Sequence, residues 1–353
     1  MMPPKLDNTR SHTNNFALLH TIGAVFVIVG HMYVLMGCAP PNFMGVELHT
    51  LGVELLFVVS GYLVTNSLLH RKQTAVGFYR KRLFRLYPSL IFCLLITIGL
   101  CWFITAEKSI EYWRGAWSYL WHNVLLYPVF YLPGVFTEAF VPNSVNGSLW
   151  TLPIEVACYL LLPVVLRNRK YSLHIVGLSY AVLSGVAIYL EKTGNVWHAV
   201  YWGTDWLTAV RLMAFFMSGV MAAKLKATTK KEYFKSNWAL IILLLMGTWS
   251  AKIPAFRYIL LPYIVIAIAL SSPVKSDFFN KYEYTYGLYL FAFPIQQTVI
   301  FMMQKYGCGN DIWFALILSF IFTLLCAIIC NGIIENKIDK IVQNKCKKTK
   351  SRL

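Results

Sequence analysis

The sequence predicts an all-α protein, a polytopic transmembrane helix bundle of about ten spans that forms a single domain over residues 1–353. Apolar residues make up 58% of the chain and charged residues only 13%, whereas roughly a quarter of a soluble domain is charged. The apolar residues also fall into runs of about twenty, the length of a helix that crosses a bilayer. No long polar block lies between these runs, so no separate soluble domain is expected.

Ten apolar runs, joined by short connections, are predicted to be spans. They are residues 16–37, 51–69, 86–104, 149–166, 173–190, 206–225, 238–251, 256–270, 284–303 and 312–334. A polar segment, 1–15, precedes the first span, and a basic segment, 336–353, follows the last. Because segment 1–15 has no apolar core, it is not expected to be a cleavable signal. No internal repeat is evident from the sequence.

The stretch 117–133 is aromatic but is not expected to cross the membrane. It contains His122 and Asn123, and it is interrupted by Pro128 and Pro133. Short, partly polar segments rich in aromatic residues are typical of the membrane interface. We therefore predict an outer re-entrant or interfacial segment here.

The charge pattern indicates a lipid bilayer as the surroundings and excludes nucleic acid as an expected partner. The net charge is +17, but Lys and Arg form short clusters between apolar runs, as in cytoplasmic loops. With both termini in the cytoplasm, 25 of the 32 basic residues fall on the cytoplasmic side. Counting 117–133 as a span would move later basic clusters outside, so ten spans is the better prediction.

The cysteines lie mostly within apolar runs and include no CxxC pair. Cys38 and Cys308 both fall in predicted outer loops. A disulfide between them is one interpretation, and two unpaired thiols are the favoured one.

Two ionisable residues inside apolar runs are the main candidates for chemistry. His31 lies about fifteen residues into the first span, and Glu155 lies about two turns below the outer end of the fourth. Ionisable side chains are costly inside a bilayer and are usually functional there. A histidine and a carboxylate at similar depth would suit general acid–base catalysis. For His31 the alternative is a structural hydrogen bond between helices.

A basic cluster precedes the third span. Arg80, Lys81, Arg82 and Arg85 lie close together, and Arg82 and Arg85 share a face if the helix begins before them. Guanidinium groups bind phosphate oxygens in a bidentate manner. Cytoplasmic loops are basic in any case, so an anion site and an ordinary basic loop both stay open.

Other polar residues in the spans have structural as well as functional interpretations. Ser60 and Gly61 in the second span allow close helix packing. For Glu54, nearer its outer end, a position at the interface is one interpretation. Arg211 in the sixth span must form an ion pair or face a polar cavity. Gln296 and the glutamine after it are less easily explained by packing than the aromatic residues around them.

Six segments resemble, in order and spacing, motifs of the acyltransferase-3 family of integral membrane acyltransferases, many of which O-acetylate bacterial surface glycans. The family's intramembrane histidine matches His31, and its Arg-x-x-Arg motif matches Arg82 and Arg85. Its acidic residue after Ser-Leu-Trp matches Glu155, and its Ser-Gly-Phe/Tyr-Leu motif matches residues 60–63. The segments are 14–31, 52–63, 78–88, 146–159, 211–219 and 286–297.

The resemblance implies ten helices in the bacterial inner (cytoplasmic) membrane and transfer of an acetyl group from cytoplasmic acetyl-coenzyme A. The implied acceptor is a hydroxyl of a cell-surface polysaccharide or lipid-linked glycan, such as lipopolysaccharide O-antigen. Acetyl-coenzyme A is then a co-substrate, with no bound cofactor and no metal. The implied residues are His31 and Glu155 for catalysis, then Arg82, Arg85, Arg80, Ser60 and Tyr87 for the acyl donor, and His20, Asn146, Trp150, Arg211 and Gln296 for the acceptor or as support.

Two positions depart from the family pattern. Ala17 stands where the family often has an aspartate, and His20 stands where it has an arginine. His20 can replace that arginine only in its protonated form. Two other functions stay open: a transporter or flippase with polar sites in the membrane, and a structural subunit of a glycan-assembly complex. The sequence leaves the oligomeric state open.

Overall fold

A computed structural model describes residues 15–70, 74–168, 170–194, 200–229, 253–271 and 284–332, and it confirms the all-α, multi-pass architecture. Within these residues, eight segments are long and apolar enough to cross a membrane. The α-helices described are α1 Phe16–Leu35, α2 Leu48–His70, α3 Ala75–Ile104, α4 Ile110–Val124, α5 Thr151–Val165, α6 Ser172–Thr193, α7 Trp206–Thr229, α8 Pro254–Leu270, α9 Thr285–Lys305 and α10 Ile312–Cys330. A 3-10 helix, Gly147–Trp150, precedes α5. Two hairpins, β1 Asn42–Phe43 with β2 Val46–Glu47 and β3 Val200–Tyr201 with β4 Thr204–Asp205, precede α2 and α7.

Nine of the predicted spans correspond to described helices, and most boundaries differ by only a few residues. The largest difference is at α3, which begins at Ala75 instead of at residue 86. Thr74 caps α3, because its side chain accepts a hydrogen bond from the Gly77 amide at 3.2 Å. The basic cluster is therefore helical. The predicted span 238–251 and the predicted tail 336–353 lie outside the described residues.

The stretch predicted to lie at the interface contains most of α4, an amphipathic helix of 15 residues that is not among the candidate spans. Tyr112 and Tyr119 on one side of α4 are buried in the protein, whereas the indoles of Trp113, Trp117 and Trp121 are exposed. Exposed tryptophans are typical of the boundary between bilayer and water. The helix thus has one buried side and one exposed aromatic side, as expected of a segment at the membrane interface.

The segment between α4 and the 3-10 helix enters the interior of the bundle and packs against α9. Gln297 of α9 donates hydrogen bonds to the carbonyls of Val141 and Ser144, at 3.1 and 3.0 Å. The Asn146 side-chain amide then donates to the Leu290 carbonyl of α9 at 3.0 Å. Leu290 is the sixth of the 21 residues of α9, so α5 begins inside the bundle and not at its surface.

The two ends of the bundle can be defined by α1. The basal face is the end where α1 begins at Phe16, and the distal face is the end where α1 ends at Leu35. Short connections and contacts between helices together show that α1, α3, α6 and α9 run from basal to distal, and that α2, α5, α7, α8 and α10 run back. At the basal face the Asn15 amide donates to the Ala269 carbonyl near the end of α8, at 2.9 Å.

Two buried hydrophobic cores hold these helices together. The larger core is formed mainly by α1, α2, α7 and α8. The second is formed by α3, α4 and α9 together with the segment that follows α4. The basal and distal polar groups described below lie where helices of the two cores meet.

The structure contains an internal repeat that was not evident from the sequence. The unit α1, β1–β2 hairpin, α2 recurs as α6, β3–β4 hairpin, α7. Leu35, which ends α1, corresponds to Thr193, and Glu47 corresponds to Asp205, in both cases 158 residues later. Identical residues at the same spacing are Gly45 and Gly203, Thr50 and Thr208, Phe57 and Phe215, Ser60 and Ser218, and Gly61 and Gly219.

Both hairpins of the repeat turn in the same way. Met44 and Gly45 have φ of +56° and +79°, and Trp202 and Gly203 have φ of +51° and +70°. Two successive residues with positive φ are characteristic of the tight turn that suits the twist of a two-residue hairpin. Each turn places an acidic residue at the start of the helix that follows.

The two repeats cross at α2 and α7 with pseudo-twofold symmetry. A Cβ atom on Gly61 would lie 2.1 Å from the Phe216 carbonyl oxygen, and a Cβ on Gly219 would lie 2.1 Å from the Val58 carbonyl oxygen. Val58 and Phe216 are themselves equivalent by the repeat. Glycine is therefore required at both positions, because small residues let two membrane helices approach closely.

Candidate functional site

The first group of polar residues, called here the basal cluster, consists of Ser60, Arg82, Arg85, Glu155 and Tyr159. The Tyr159 hydroxyl donates a hydrogen bond to the Glu155 carboxylate and lies 3.2 Å from Ser60 Oγ. The Arg82 guanidinium lies 5.8 Å from the centre of the Tyr159 ring. Arg85 and Arg82 both lie close enough to Glu155 for their positive charges to act on its carboxylate. A carboxylate, a phenol and two guanidinium groups are thus brought together.

The early start of α3 places the arginines of this cluster on a helix. Arg82 is only 8% exposed, and its guanidinium also lies 5.7 Å from the centre of the Phe78 ring. Arg85, one turn later, is exposed. Arg80 is exposed as well, with its guanidinium 5.5 Å from the Phe84 ring centre. One guanidinium is therefore held by aromatic rings, and two others face outwards near the basal face.

A pocket opens beside Arg82 between α3 and α5. The Tyr79 hydroxyl donates to the Leu160 carbonyl at 3.0 Å and so ties the two helices together next to it. Tyr87, by contrast, packs half-buried against the second hydrophobic core. The remaining pocket lining is mainly apolar: Leu83, Leu86, Val156, Leu160 and the ring faces of Tyr79 and Tyr159.

Buried hydroxyl groups continue from the basal cluster towards the distal face. The Tyr289 hydroxyl lies 2.7 Å from Thr151 Oγ1 and donates to the Ser148 carbonyl at 3.2 Å. The Ser148 amide in turn donates to Asn146 Oδ1 at 3.1 Å, which fixes the 3-10 helix. Glu155 lies close enough to Tyr289 for its charge to act on the phenol, so these hydroxyls adjoin the basal cluster.

The second group, called here the distal cluster, consists of His31, His49, Glu47 and Phe293. The His31 ring centre lies 5.2 Å from that of His49, and 5.3 Å from that of Phe293 in an edge-to-face arrangement. His49 Nε2 lies 3.3 Å from Glu47 Oε2. The Nδ1 atoms of His31 and His49 are both buried and have no hydrogen-bond partner among the described residues.

Two glycines allow the distal cluster to assemble. A Cβ atom on Gly30 would lie 2.5 Å from the His49 backbone nitrogen, so only glycine lets α2 bring this ring next to His31. A Cβ on Gly147 would lie 2.6 Å from the Phe293 ring. The start of the 3-10 helix therefore touches the same phenylalanine that packs on His31.

The two clusters lie at different depths, which corrects the expectation that His31 and Glu155 lie at similar depth. His49, the second residue of α2, contacts His31, whereas Ser60, the thirteenth, contacts Tyr159. Eleven residues of helix span about 16 Å, and Glu155, which precedes Tyr159 by one turn of α5, lies about 6 Å back towards the distal face. About 10 Å of depth therefore separates Glu155 from His31, and the two side chains have no hydrogen bond or ion pair among the described residues.

A separate ion-pair network joins α2, α6, α7 and α8. Glu54 is fully buried, 3.5 Å from Arg211 Nε and 3.3 Å from Arg257 Nε. Arg257 and Tyr258 both donate hydrogen bonds to Glu191 Oε1, at 2.8 and 2.9 Å. The expectation that Arg211 pairs is confirmed, and the interfacial position considered for Glu54 is wrong. Two carboxylates and two guanidinium groups balance one another here.

Three further residues singled out by sequence occupy supporting positions. Gln296 is buried and donates to the Ile28 carbonyl of α1 at 2.7 Å, close to His31 in sequence. The Trp150 carbonyl accepts a hydrogen bond from Thr204 Oγ1 at 3.2 Å. His20 lies half-buried in α1 near the basal face.

The cysteines and other potential metal ligands form no further site in the described ranges. Cys38 and Cys308 are both exposed free thiols, in agreement with the favoured interpretation. Among the residues that the structure describes, no group of three His, Cys, Asp or Glu side chains could hold a metal ion.

Sequence reasoning missed several residues of these groups. His49 and Glu47 lie in what reads as a polar loop between two spans, and Glu191 and Arg257 lie at span ends, where charged residues are ordinary. Their ionisable character is visible in the sequence, but the contacts that they make depend on helix packing. Tyr159 and Tyr289 are indistinguishable by sequence from the other tyrosines of the spans.

Comparison with known proteins shows what this chain is similar to. The acyltransferase-3 family model, described as an acyltransferase domain, matches residues 14–332. An O-acetyl transferase of Shigella phage Sf6 is 28% identical over 304 residues, which cover 82% of this chain and 86% of that protein. Nodulation protein 10 of Rhizobium leguminosarum bv. viciae is 26% identical over 327 residues, covering 85% of this chain and 87% of that protein.

A longer relative matches over the same part of the chain. The O-acetyltransferase OatA of Staphylococcus aureus is 26% identical over 337 residues, covering 82% of this chain but only 52% of that protein. No solved structure matches this chain.

Proposed function

Because the chain belongs to the acyltransferase-3 family and is a membrane O-acyltransferase, we propose that it transfers acetyl groups from acetyl-coenzyme A to a cell-surface glycan. The observation that carries the proposal is that polar side chains lie inside the bundle at several depths: the basal cluster, then Tyr289 with Thr151, and then His31. A donor on one side of the membrane and an acceptor on the other require polar groups at such depths. The acceptor is a hydroxyl of a polysaccharide or lipid-linked glycan, such as lipopolysaccharide O-antigen.

The basal face is proposed to be cytoplasmic, in the bacterial inner membrane. Eight of the described Lys and Arg residues lie at the basal face, and four lie at the distal face. An excess of basic residues marks the cytoplasmic side of membrane proteins. The basal residues are Arg80, Lys81, Arg82, Arg85, Arg167, Lys170, Lys224 and Lys226, and the distal ones are Lys108, Arg114, Lys192 and Lys305.

The basal cluster is the proposed donor site. Arg80 and Arg85 are exposed and can meet the phosphates of coenzyme A, while Arg82 is fixed between Phe78 and Tyr159. Guanidinium groups bind phosphate oxygens through paired hydrogen bonds. The apolar pocket beside Arg82 suits the pantetheine arm, which leads the thioester towards the bundle centre.

His31 is the proposed general base. It removes the proton from the acceptor hydroxyl as the hydroxyl oxygen attacks the thioester carbonyl, and the proton then passes to the departing thiolate. The O–H and C–S bonds break, and the C–O and S–H bonds form. A base in this position contributes about 10² to 10⁴ in rate. Glu155 acts in the donor half, where it orients Tyr159.

The proposal is tested by measuring alkali-released acetate from surface glycans of the natural host. Cells carry the intact protein, the variant His31→Ala, the control His174→Ala on the exposed side of α6, or no copy, with membrane levels matched by immunoblot. We expect acetate with the intact protein and the control, and a loss of about 100-fold or more with His31→Ala. Equal acetate in all strains would contradict acetyl transfer to these glycans and favour the transporter.

A further inference from the structure

Given the acetyl transfer proposed above, we propose that His49 and Glu47 are functional partners of His31 on the acceptor side. In this arrangement His31 does not act as an isolated base. His49 lies against it, and Glu47 holds His49 from the distal face. The three side chains form one proton-holding unit of two imidazoles and a carboxylate.

The contacts of His49 are those of a base whose ring is held in one orientation. His49 Nε2 faces the Glu47 carboxylate at 3.3 Å, so Nε2 carries the proton and Nδ1 keeps its lone pair. That Nδ1 is buried and unpaired among the described residues, as is Nδ1 of His31, with the ring centres 5.2 Å apart. A base held by a third group through its other nitrogen is the arrangement that general-base catalysis uses.

The internal repeat supplies a comparison that argues for function. At the equivalent position of the second unit, the Asp205 carboxylate accepts hydrogen bonds from the Thr208 amide and hydroxyl at 2.8 and 2.6 Å. That is ordinary capping of a helix start. Glu47 makes no described hydrogen bond to Thr50, the residue equivalent to Thr208, and instead faces His49. In the first unit the acidic residue therefore contacts the histidine, whereas in the second unit it caps the helix.

Stability does not explain the Glu47–His49 pair. The Glu47 side chain is 51% exposed, and ion pairs with exposed partners add little to stability. The α2 backbone at His49 also lies so close to α1 that only glycine fits at position 30. The close contact brings the ring to His31, and a contact made only for packing would not need an imidazole there.

The other charges near this unit come from the ion-pair network. Arg211 is close enough for its charge to act on His49, but it is paired with Glu54 and Glu191. Arg257 completes that balanced set. Phe293 and Gln296, which α9 brings next to α1, do not titrate. Among the described residues, Glu47 is therefore the uncompensated charge that faces His49, which in turn contacts His31.

The proton step can be written without any further reactant. The acceptor hydroxyl gives its proton to His31 as its oxygen forms the ester bond with the acetyl carbon. While His31 holds the proton, the Glu47 carboxylate, which also holds His49 against His31, balances the added positive charge. The proton then passes from His31 to the sulfur of coenzyme A as the C–S bond breaks, which leaves ester and thiol.

The test measures acetyl transfer in detergent-permeabilised membranes of the natural host, with radiolabelled acetyl-coenzyme A as donor and the host's own glycan as acceptor. Initial rates of alkali-labile incorporation are recorded from about pH 5.5 to 8.5, the range in which histidine titrates. The variants are His49→Gln, Glu47→Gln and Glu47→Asp. The matched controls are Asp205→Asn, at the equivalent position of the repeat, and His122→Gln, whose ring bonds only within α4.

We expect His49→Gln to lower the rate about 100-fold, the lower end of a general-base contribution, because His31 remains. Glu47→Gln moves the acid limb of the pH profile to lower pH, because an amide no longer stabilises the protonated imidazole, and Glu47→Asp restores the parental profile. The two controls keep the parental profile. The proposal is overturned if His49→Gln stays within twofold of the parent, or, where His49→Gln does not accumulate, if Glu47→Gln leaves the profile unchanged. An inactive parental protein would overturn acetyl transfer itself.

Discussion

The two units of the internal repeat, α1–α2 and α6–α7, have the same connections but different chemistry. In the first unit, Ser60 of α2 reaches across to Tyr159. In the second, Ser218 at the equivalent position bonds to the Phe215 carbonyl of its own helix at 2.6 Å. The acidic residue that ends the hairpin faces a histidine in the first unit and caps α7 in the second. At these two positions, the second unit satisfies its polar side chains within α7, whereas the first unit places them against residues of the two clusters.

This difference indicates that the same helix–hairpin–helix unit occurs twice with two roles. The second unit stabilises the bundle as a scaffold, and the first forms part of the proposed site. The second unit contributes Arg211 to the balanced ion-pair network, which fixes α2 relative to α6, α7 and α8. The first unit contributes His31, His49 and Ser60, which face the polar path. Substitutions at equivalent positions should therefore affect stability in both units but activity mainly in the first.

The largest expected effect is on the scaffold. The substitution Glu54→Gln leaves the guanidinium groups of Arg211 and Arg257 with one carboxylate, that of Glu191, in place of two, and breaking a buried ion pair costs about 3–5 kcal/mol. The measurement is the thermal midpoint of the detergent-solubilised protein, followed by size-exclusion chromatography after heating. The control is Glu111→Gln, whose pair with Arg114 is exposed and contributes about 0–1 kcal/mol. Equal shifts for the two variants would contradict a structural role for the network.

An intermediate effect is expected where the two units cross. Gly61→Ala and Gly219→Ala each place a methyl group 2.1 Å from a carbonyl oxygen of the facing helix. Forcing α2 and α7 apart should destabilise the protein by about 1–3 kcal/mol, and by similar amounts for both variants because the contacts are equivalent. Gly185→Ala in α6, where no atom lies within 4 Å of the new methyl group, should leave the same thermal midpoint unchanged or raise it. Very different shifts for Gly61 and Gly219 would show that the crossing is not symmetric.

The helices and several site residues could be predicted from sequence because their signals are local. Apolar runs of span length stand out from basic connections, and His31, Arg82 and Glu155 are conspicuous as ionisable residues in such runs. The depth of Glu155 could not be predicted, because it was counted from a surface start of the helix. The chain actually enters the bundle before Asn146, which bonds to the sixth residue of α9. The His49 contact likewise depends on the close approach of two helices at Gly30.

The smallest expected effect separates the two serines of the repeat. Ser60→Ala removes the hydroxyl 3.2 Å from Tyr159, and one hydrogen bond contributes about 0.5–1.5 kcal/mol. We therefore expect the KM for acetyl-coenzyme A to rise about two- to tenfold, since a loosened Tyr159 no longer holds Arg82 and Glu155 as firmly. Ser218→Ala removes a bond within α7 and should leave KM unchanged. The assay is the transfer of radiolabelled acetyl groups in permeabilised membranes. If both variants raise KM equally, the serine acts through packing of α2 on α7, and the division between scaffold and site does not hold at this position.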